Sequence, residues 1–296
     1  CVWFSGGDQL RTMKTLHKAD GSKTPVLEAV WEVFRSGGVI GGTSAGAAIM
    51  SEPMIGAGNS MGALKHGVIT DYKGDDFPDS DGVLLTHGLG FFPLGMVDQH
   101  FNTRARLARL ITVMMHEKKT LNLGFGVDEN TAPIYNGKLK TLKVAGAAGV
   151  TMINTTDATI SQVQNLPLIK NVTISYLDEG DVYDISTKKI IPAEGKKSTI
   201  SNEFYNVSNP AQAGMFSGSA TNFLNLVTVN LIDNKAVNKV SNLNFTGADA
   251  GFLVTFSKTP ESKGFFTDKP TGKDKYTVIG IRMDIEPVQI TTTPLK

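Results

Sequence analysis

The feature that most constrains this chain is a serine set among glycines in the stretch GGVIGGTSAGAAIMSE, residues 37–52. Residues 42–46 fit the pattern G-x-S-x-G around Ser44. In that pattern the serine occupies a sharp turn between a strand and a helix, and only small neighbours fit beside the strained backbone. The free N–H groups of the following helix point towards the hydroxyl. The pattern predicts either a catalytic serine or a glycine-rich turn that holds a phosphate or simply packs closely.

The composition is that of an ordinary globular protein and excludes several classes of function. Of the 296 residues, 41% are hydrophobic and 19% are charged, which suits one large domain or two. The net charge of +1 provides no overall field for nucleic acid or an acidic membrane. A single cysteine, Cys1, excludes an internal disulfide framework and a cysteine-rich zinc site. No cluster has metal-ligand spacing, and no apolar run approaches the roughly 20 residues of a membrane span. We expect no metal and no cofactor.

Strand and helix patterns alternate through the first 135 residues. The predicted strands are residues 2–4, 39–40, 96–100 and 123–127, with 133–135 continuing the sheet after a turn. The predicted helices are residues 10–16, a stretch that Pro25 opens, and 103–116, whereas 59–80 is predicted as a polar loop. This alternation predicts an α/β domain with a mainly parallel sheet flanked by helices.

The composition changes near residue 150, where Asn, Thr, Ser, Val and Lys become frequent and short alternating runs such as NVTISYL appear. Such runs predict strands. Residues 172–185 can still belong to the sheet of the first domain, so we divide the chain into a catalytic α/β domain, residues 1–188, and a β-rich C-terminal extension, residues 189–296. The chain opens directly on the apolar run CVWF with no signal peptide before it, so we expect it to begin inside a domain.

His100 is the histidine best placed to act with Ser44. It closes the predicted strand MVDQH, and open α/β sheets place their sites at the carboxyl ends of strands. The stretch DQHFNTRARLAR gathers five further polar side chains there: Asp98, Gln99, Arg104, Arg106 and Arg109. The alternative interpretation is a buried structural histidine followed by a solvated basic helix. The density of polar groups at one strand end favours a site.

Glu129 is the candidate third member of the set. The predicted strand 123–127 runs into Asp128 and Glu129, and adjacent strand residues face opposite sides, so only one carboxylate can face His100. A buried carboxylate there would hold the imidazole tautomer and stabilise the imidazolium, and the alternative is a cap or turn carboxylate. The chain order Ser44, His100, Glu129 differs from the Ser, Asp/Glu, His order of α/β-hydrolases, which disfavours an esterase or lipase.

The first loop, FSGGDQ, is expected to supply groups for the substrate. Its two glycines let the backbone approach a substrate closely. We expect the N–H of Gly7 or Asp8 to join that of Ala45 in an oxyanion hole. Gln9 is expected either to bind a polar substrate group or simply to start a helix.

Four blocks of sequence together resemble the signature of the cyanophycinases, serine peptidases related to aspartyl dipeptidase. The blocks are FSGGDQLR, GGTSAGAAIMS, DQHFNTRARLARL and GFGVDENTA, in that order, and they span roughly the first half of the chain. The resemblance implies a flavodoxin-like, class I glutamine-amidotransferase-like α/β domain in a homodimer. It also implies hydrolysis of cyanophycin, a polyaspartate backbone with arginine attached to each β-carboxyl, mainly to β-Asp-Arg dipeptides.

Matched residue by residue, the resemblance makes Ser44 the nucleophile, His100 the general base and Glu129 the third member. It also implies a substrate pocket of six residues: Gln9, Asp98, Gln99, Arg104, Arg106 and Arg109. Arginines bind carboxylates through two parallel hydrogen bonds, and an acidic residue can receive a guanidinium, so these residue types suit the substrate. Arg106 and Arg109 lie three apart on one helix face whereas Arg104 points elsewhere, so one arginine is expected to be structural.

The sequence departs from the family in two ways. Members have βα units before the first block, so we expect those units either to be missing or to form a separate piece of the same precursor. The chain also continues beyond about Lys189, where short cytoplasmic members end. Longer members tend to be exported, which indicates a secreted or periplasmic enzyme, with a cytoplasmic one as the alternative.

Two other functions remain open. An aspartyl dipeptidase acting on Asp-X peptides would share the serine turn, but the block DQHFNTRARLAR favours cyanophycinase. A non-catalytic polymer-binding protein would share the fold, but the complete set of Ser44, His100 and Glu129 argues against it.

Overall fold

Short strands and helices alternate along the first 127 residues. The computed structural model of the chain describes residues 1–74, 76–208, 210, 212–216, 221–267, 275–291 and 293. The strands of this first part are β1 Val2–Phe4, β2 Ile40–Gly42, β3 Met54–Gly58, β4 Val68–Ile69, β5 Val83–Thr86, β6 Met96–Asp98 and β7 Leu123–Val127. Its helices are α1 Gln9–Leu16, α2 Pro25–Arg35, α3 Ala45–Ala48, α4 Ser60–His66 and α5 Leu107–His116, with a 3₁₀ turn at Asp79–Asp81. The predicted mixed α/β class is confirmed.

Polar caps determine where the first two helices begin. The Asp8 carboxylate accepts hydrogen bonds from the backbone N–H groups of Leu10 and Arg11, and α1 starts at the next residue after Asp8. The Thr24 hydroxyl caps α2, whose first residue is Pro25, as the sequence predicts. Among the described residues, no helix has the length and apolar content needed to cross a membrane.

The predicted polar loop at residues 59–80 is wrong in part, because it contains α4 and β4. The Asn59 side chain caps α4 by accepting from Gly62 N at 2.7 Å, and Gly67 ends the helix with a φ of 75°. The helix predicted from residue 103 is also too long, since α5 begins only at Leu107. The residues before it form a turn in which Ala105 has a φ of 50°, a conformation that a helix cannot contain.

Longer strands dominate the rest of the chain. They are β8 Thr131–Asn136, β9 Thr141–Gly146, β10 Val150–Asn154, β11 Thr159–Val163, β12 Leu166–Leu177, β13 Val182–Asp184, β14 Lys189–Ile191, β15 Lys197–Ser198, β16 Gln212–Ala213, β17 Lys239–Phe245, β18 Ala250–Ser257, β19 Lys263–Thr267 and β20 Lys275–Gln289. The helix α6 Thr221–Val227 continues into a π-helical turn at Thr228–Ile232.

The largest sheet has eleven strands in the order β16-β17-β18-β20-β12-β10-β7-β6, with β11, β15 and β19 paired alongside. Only β6–β7 and β16–β17 are parallel in it, so the prediction of a mainly parallel sheet is wrong for the described residues. Short connections explain the difference, because a hairpin joins antiparallel neighbours whereas parallel ones need a crossover. The turn between β11 and β12, for example, is Gln164 and Asn165, both with positive φ.

The other described strands form three smaller sheets. The strands β1 and β2 form a parallel pair in the register Val2 with Ile40 and Phe4 with Gly42. The order β3-β5-β4 makes a three-stranded sheet in which β4 and β5 are parallel. Strands β8, β9, β13 and β14 form an antiparallel sheet. The segment predicted at residues 133–135 lies in this separate sheet, so it does not continue the sheet of β7.

The two parts of the chain share one sheet and one core. Strand β20 pairs with β12, and α5 contributes Leu110 and Ile111 to the same buried cluster as Phe252 and Ile281. The division at residues 188 and 189 stays a prediction, but it does not coincide with a break in the sheet. Because residues on both sides of this division bury apolar surface in the same core, the stabilities of the two parts are coupled.

Buried ion pairs also connect the two parts. The Asp181 carboxylate accepts from Lys196 Nζ at 2.8 Å and from the Thr277 hydroxyl at 2.6 Å. The exposed side-chain fractions of Lys196 and Asp181 are only 1% and 0%. Beside them, Lys275 Nζ lies 3.1 Å from Asp178 Oδ1. Each of these carboxylates lies in residues 1–188, and each lysine lies in residues 189–296.

Candidate active site

Ser44 occupies the sharp turn that its glycine neighbours predict. It follows β2 directly and precedes α3, with φ 56° and ψ −117°, a backbone conformation that side chains rarely adopt. A Cβ atom on Gly46 would collide with the carbonyl oxygen of Phe4, and one on Gly42 would collide with the carbonyl of Gly46. The glycines are therefore a steric requirement of the turn, which packs against β1.

Ser44, His100 and Glu129 form a continuous chain of hydrogen bonds. His100 Nε2 lies 2.9 Å from Ser44 Oγ, and His100 Nδ1 lies 2.7 Å from Glu129 Oε1. When Nδ1–H donates to the carboxylate, Nε2 is left to accept the serine proton, which is the arrangement that a general base requires. The three predicted residues therefore come together although 85 positions separate Ser44 from Glu129.

The parallel pair β6–β7 brings His100 and Glu129 to the same sheet edge. Asp98 pairs with Gly126 at the ends of the two strands, and each strand then enters a loop that carries one of the two residues. His100 has a φ of 47°, so the chain turns sharply immediately after β6. The Glu129 side chain is 47% exposed, so the expectation of a buried carboxylate at this position is wrong.

Asp128 points away from His100 into the interior, as the alternation of strand side chains predicts. Its carboxylate accepts hydrogen bonds from Asn102 N at 3.2 Å, Asn102 Nδ2 at 2.8 Å and the Tyr176 hydroxyl at 3.4 Å. Burial raises the pKa of Asp128 to about 6, although these donors act in the opposite direction. The sequence did not predict Asn102 or Tyr176 as partners of Asp128.

The first loop lies against Ser44. A Cβ atom on Gly6 would be 3.1 Å from Ser44 Cβ and 3.7 Å from Ser44 Oγ, and Gly7 has a φ of 139° with open space where its side chain would be. This proximity brings the backbone of the predicted oxyanion hole beside the serine. The Asp8 side chain is committed to capping α1, so only the main chain of Asp8 is available for that role.

Gln9 starts α1 and its amide group is already engaged. Its Nε2 donates to the carbonyl of Gly56 at 2.5 Å. A cavity of about 270 Å³ lies next to it, lined by Gly7, Asp8, Gln9, Leu10, Gly56, Ala57, Asp76 and Phe77. A larger cavity of about 420 Å³ lies between residues 200 and 262, and its lining includes none of the predicted site residues.

Two of the predicted substrate-binding residues bind each other. Arg109 donates to Asp98 through Nε at 2.7 Å and through Nη2 at 2.5 Å, and their side chains are 2% and 1% exposed. Burial alone would raise the pKa of Asp98, but the charge and hydrogen bonds of Arg109 outweigh it and hold that pKa below its usual range. This burial argues against direct substrate contact, and the substrate-binding role of the two residues stays a prediction.

The other predicted pocket residues differ in accessibility. Arg104 is exposed, whereas Arg106 donates from Nη1 to the carbonyl of Gln99 at 2.7 Å and lies 3.7 Å from Asp98. Burial lowers the pKa of Arg106 to about 10, which leaves it charged at neutral pH. The Gln99 side chain is buried, and its Oε1 has no hydrogen-bond partner among the described residues.

The comparisons with known proteins agree with this geometry. Residues 1–142 match the family model described as Peptidase family S51. The chain is 35% identical over 196 residues to a cyanophycinase of Synechococcus elongatus, covering 64% of this chain and 54% of that protein. It is 34% identical over 199 residues to a cyanophycinase of Trichormus variabilis, covering 65% and 59%. A cyanophycinase of Geminocystis herdmanii is 32% identical over 193 residues, with 63% and 62% covered.

The match to peptidase family S51 spans residues 1–142, just under half of the chain. The resemblance predicted from the four sequence blocks is thereby confirmed. The chain spans between about half and three fifths of the length of the curated relatives described above.

The S51 region contains every predicted site residue, from Gly7 to Glu129. It also contains Asp128 and Asn102, but Tyr176 lies beyond it on β12. The sequence does contain a signal for Asp128, because it shows two adjacent carboxylates after β7, Asp128 and Glu129, of which only one can face His100. No local pattern links that carboxylate to Tyr176, because the contact depends on how β12 crosses the sheet.

Proposed function

We propose that this chain carries the active site of a serine peptidase that hydrolyses cyanophycin to β-Asp-Arg dipeptides. The observation that carries the proposal is the hydrogen-bonded set of Ser44, His100 and Glu129, with Ser44 on a strained turn. The match of residues 1–142 to the model of peptidase family S51 supports the reaction, and the similarity to cyanophycinases supports the substrate.

In the proposed mechanism the three residues act as a catalytic triad. His100 Nε2 takes the proton of Ser44 Oγ while Oγ attacks a backbone carbonyl of the polymer. Glu129 holds the imidazole in the required tautomer and stabilises the imidazolium. His100 then gives its proton to the leaving amine, and an acyl group remains on Ser44. In the second half, His100 takes a proton from water, the hydroxyl attacks the acyl group, and Ser44 leaves with the proton restored.

Backbone N–H groups complete the proposed site. Those of Ala45 and of Gly7 or Asp8 would hold the oxyanion of each tetrahedral intermediate. The proximity of the Gly6 backbone to Ser44 supports this assignment. The oxyanion donors are main-chain groups, so their positions depend on the turn and the loop rather than on side-chain identity.

Substrate binding is proposed for three of the predicted pocket residues. Arg104 is exposed and can form a two-pronged pair with a substrate carboxylate. The resemblance also assigns Gln99 to the pocket, and its buried side-chain oxygen has no hydrogen-bond partner among the described residues. Gln9 lines the cavity of about 270 Å³ beside the first loop. For Asp98 and Arg109 we propose instead that their buried pair supports the loop that carries His100.

Several broader predictions belong to the whole protein. The parallel pairs β1–β2, β4–β5 and β6–β7 support a flavodoxin-like, glutamine-amidotransferase-like arrangement for the S51 region. Homodimer formation and export to the periplasm or the medium stay predictions from the resemblance. Sedimentation would measure homodimer formation, and cell fractionation would measure export.

Incubation of the purified protein with insoluble cyanophycin tests the proposal directly. Mass spectrometry should detect β-Asp-Arg in the supernatant of the unchanged protein, and Ser44→Ala should reduce its release by at least about 10²-fold. Ser36→Ala, which changes an exposed serine at the end of α2, is the matched control and should release the dipeptide at the normal rate.

The other candidate functions give different results in the same assay. A dipeptidase would leave the polymer intact and cleave Asp-X dipeptides. A non-catalytic binding protein would sediment with the polymer without releasing product, and its Ser44 would not react with a serine-directed organophosphate. Undiminished release by Ser44→Ala would remove Ser44 from the mechanism.

A further inference from the structure

The two loops that bear His100 and Glu129 are joined beneath the site by a buried carboxylate. Asp128 is the residue immediately before Glu129, and Asn102 lies two residues after His100. Asp128 Oδ1 accepts from Asn102 N at 3.2 Å, and Asp128 Oδ2 accepts from Asn102 Nδ2 at 2.8 Å. One side chain therefore binds both the backbone and the side chain of the opposite loop.

This contact is shielded from water. Asp128 and Asn102 are each 8% exposed, so neither can exchange its partner for solvent without opening the loop. A third donor, the Tyr176 hydroxyl on β12, lies 3.4 Å from Oδ2 and makes the longest of the three hydrogen bonds. The backbone bond from Phe101 N to Val127 O, at 3.1 Å, is the neighbouring link between the same two segments.

The His100 loop needs such a link because its backbone is strained. His100 and Ala105 both have positive φ, at 47° and 50°, in a loop of eight residues between β6 and the start of α5. Such conformations persist only where surrounding contacts hold them. The contact that Asn102 makes with Asp128 falls between the two strained positions.

We propose that Asp128 is a positioning residue that keeps His100 in line with Ser44 and Glu129 by binding Asn102. The inference rests on the proposed serine peptidase function. Asp128 does not contact the substrate or the reacting atoms. Its effect is on the two distances from His100, 2.9 Å to Ser44 Oγ and 2.7 Å to Glu129 Oε1.

Asp128→Asn tests the proposal because it keeps the size of the side chain but replaces one acceptor oxygen by a donor. We expect kcat on cyanophycin to fall by about 10- to 100-fold with KM within about twofold, since a displacement near 1 Å has an effect of this size. The rate at which a small organophosphate labels Ser44 should fall by the same factor. Tyr176→Phe, which removes only the longest of the three hydrogen bonds, is the matched control and should change both rates by less than about threefold.

A double-mutant cycle separates positioning from a general loss of structure. If Asp128 acts through His100, Glu129→Gln should reduce kcat much less in the Asp128→Asn background than in the unchanged protein. Equal reductions in both backgrounds would overturn the proposal, as would a folded Asp128→Asn variant with normal kcat and labelling. If Asp128→Asn does not fold, Asn102→Ala replaces it in the same measurements with the same expected outcome.

The labelling assay distinguishes failure of this inference from failure of the proposed function. If the unchanged protein is labelled at Ser44 but releases no β-Asp-Arg, cyanophycin is not the substrate, and the labelling rates of the variants still decide the role of Asp128. If Ser44 in the folded protein is not labelled at all, the serine peptidase assignment fails and the positioning role fails with it.

Discussion

The residues before β8, here the first part, differ in architecture from those from β8 onwards, here the second part. In the first part, strands of two to five residues alternate with helices, and their loop ends carry Ser44, His100 and Glu129. In the second part, β12 and β20 run for 12 and 15 residues and pair with each other across the large sheet. The comparison indicates that the short elements carry the candidate catalytic side chains, whereas the long antiparallel strands form the large sheet that stabilises the protein. Substitutions in the first part should therefore affect activity, and those in the second should affect stability.

The largest effect is expected at the carboxylate of the triad. Glu129→Gln removes the charge that stabilises the imidazolium of His100, so we expect kcat to fall by about 10²- to 10⁴-fold with the free energy of unfolding nearly unchanged. Glu117→Gln is the control, because Glu117 Oε1 also lies 2.9 Å from a histidine, His116, but at the far end of α5. A similar loss of kcat in both variants, followed in the dipeptide assay, would contradict the assignment.

The next effect concerns stability and lies in the second part. Lys196→Met would leave the Asp181 carboxylate buried without its cation, and we expect the free energy of unfolding to fall by about 3–5 kcal/mol. Urea denaturation measures this change, and kcat should stay within about twofold. The adjacent exposed residue provides the control, since Lys197→Met should change stability by less than about 0.5 kcal/mol. Equal stability of the two variants would show that the buried pair of Lys196 and Asp181 does not stabilise the second part.

Asp128 should make stability depend on pH at the boundary between the two parts. Because burial raises its pKa to about 6, the folded protein binds this proton more tightly than the unfolded chain does. Stability is therefore lost as pH rises from about 4 to about 6, by up to about 3 kcal/mol. Tyr176, the other titratable group in contact, stays neutral here because burial raises its pKa well above 10.

The measurement is the difference in unfolding free energy between Asp128→Asn and the unchanged protein at pH 4.5 and pH 7. The variant lacks this titration, so it should gain stability relative to the unchanged protein as pH rises. A difference that is the same at both values would mean that Asp128 titrates normally in the folded state.

The smallest effect is expected for an ion pair on the surface of the first part. Arg35 Nη1 lies 3.0 Å from Glu32 Oε1 on α2, with exposed side-chain fractions of 51% and 71%. Arg35→Met should lower the unfolding free energy by less than about 1 kcal/mol. Comparing the thermal unfolding of Arg35→Met with that of Lys196→Met would show whether burial of an ion pair, rather than pairing alone, determines how much it stabilises the protein. A loss as large as that of Lys196→Met would remove the distinction.

Local steric and periodic rules were sufficient to predict much of the site. The turn at Ser44 follows from the glycines at 42 and 46, and the meeting of His100 with Glu129 follows from two strands that end at the same sheet edge. Alternation also predicted that only one of Asp128 and Glu129 would face His100. These inferences involve neighbours in sequence or a single strand pairing, so little information from the rest of the fold was needed.

Longer-range features could not be predicted in the same way. The sequence does not distinguish an arginine that binds substrate from one that binds a buried aspartate, and Arg109 proved to pair with Asp98, 11 residues away. The order of the large sheet depends on contacts such as β12 with β20, which are more than 100 residues apart along the chain. The helix α4 was missed because its seven residues, SMGALKH, contain too few apolar positions to establish a helical period.

The steric origin of the glycine pattern has a consequence for how related sequences are interpreted. Gly42 and Gly46 lack side chains because the turn packs closely: a Cβ atom on Gly42 would meet the backbone of Gly46, and one on Gly46 would meet Phe4. A chain that had lost Ser44 would still need both glycines to close the same turn. A search for this pattern therefore detects a backbone architecture, and an inactive descendant would be recognised only by what stands at the positions of Ser44, His100 and Glu129.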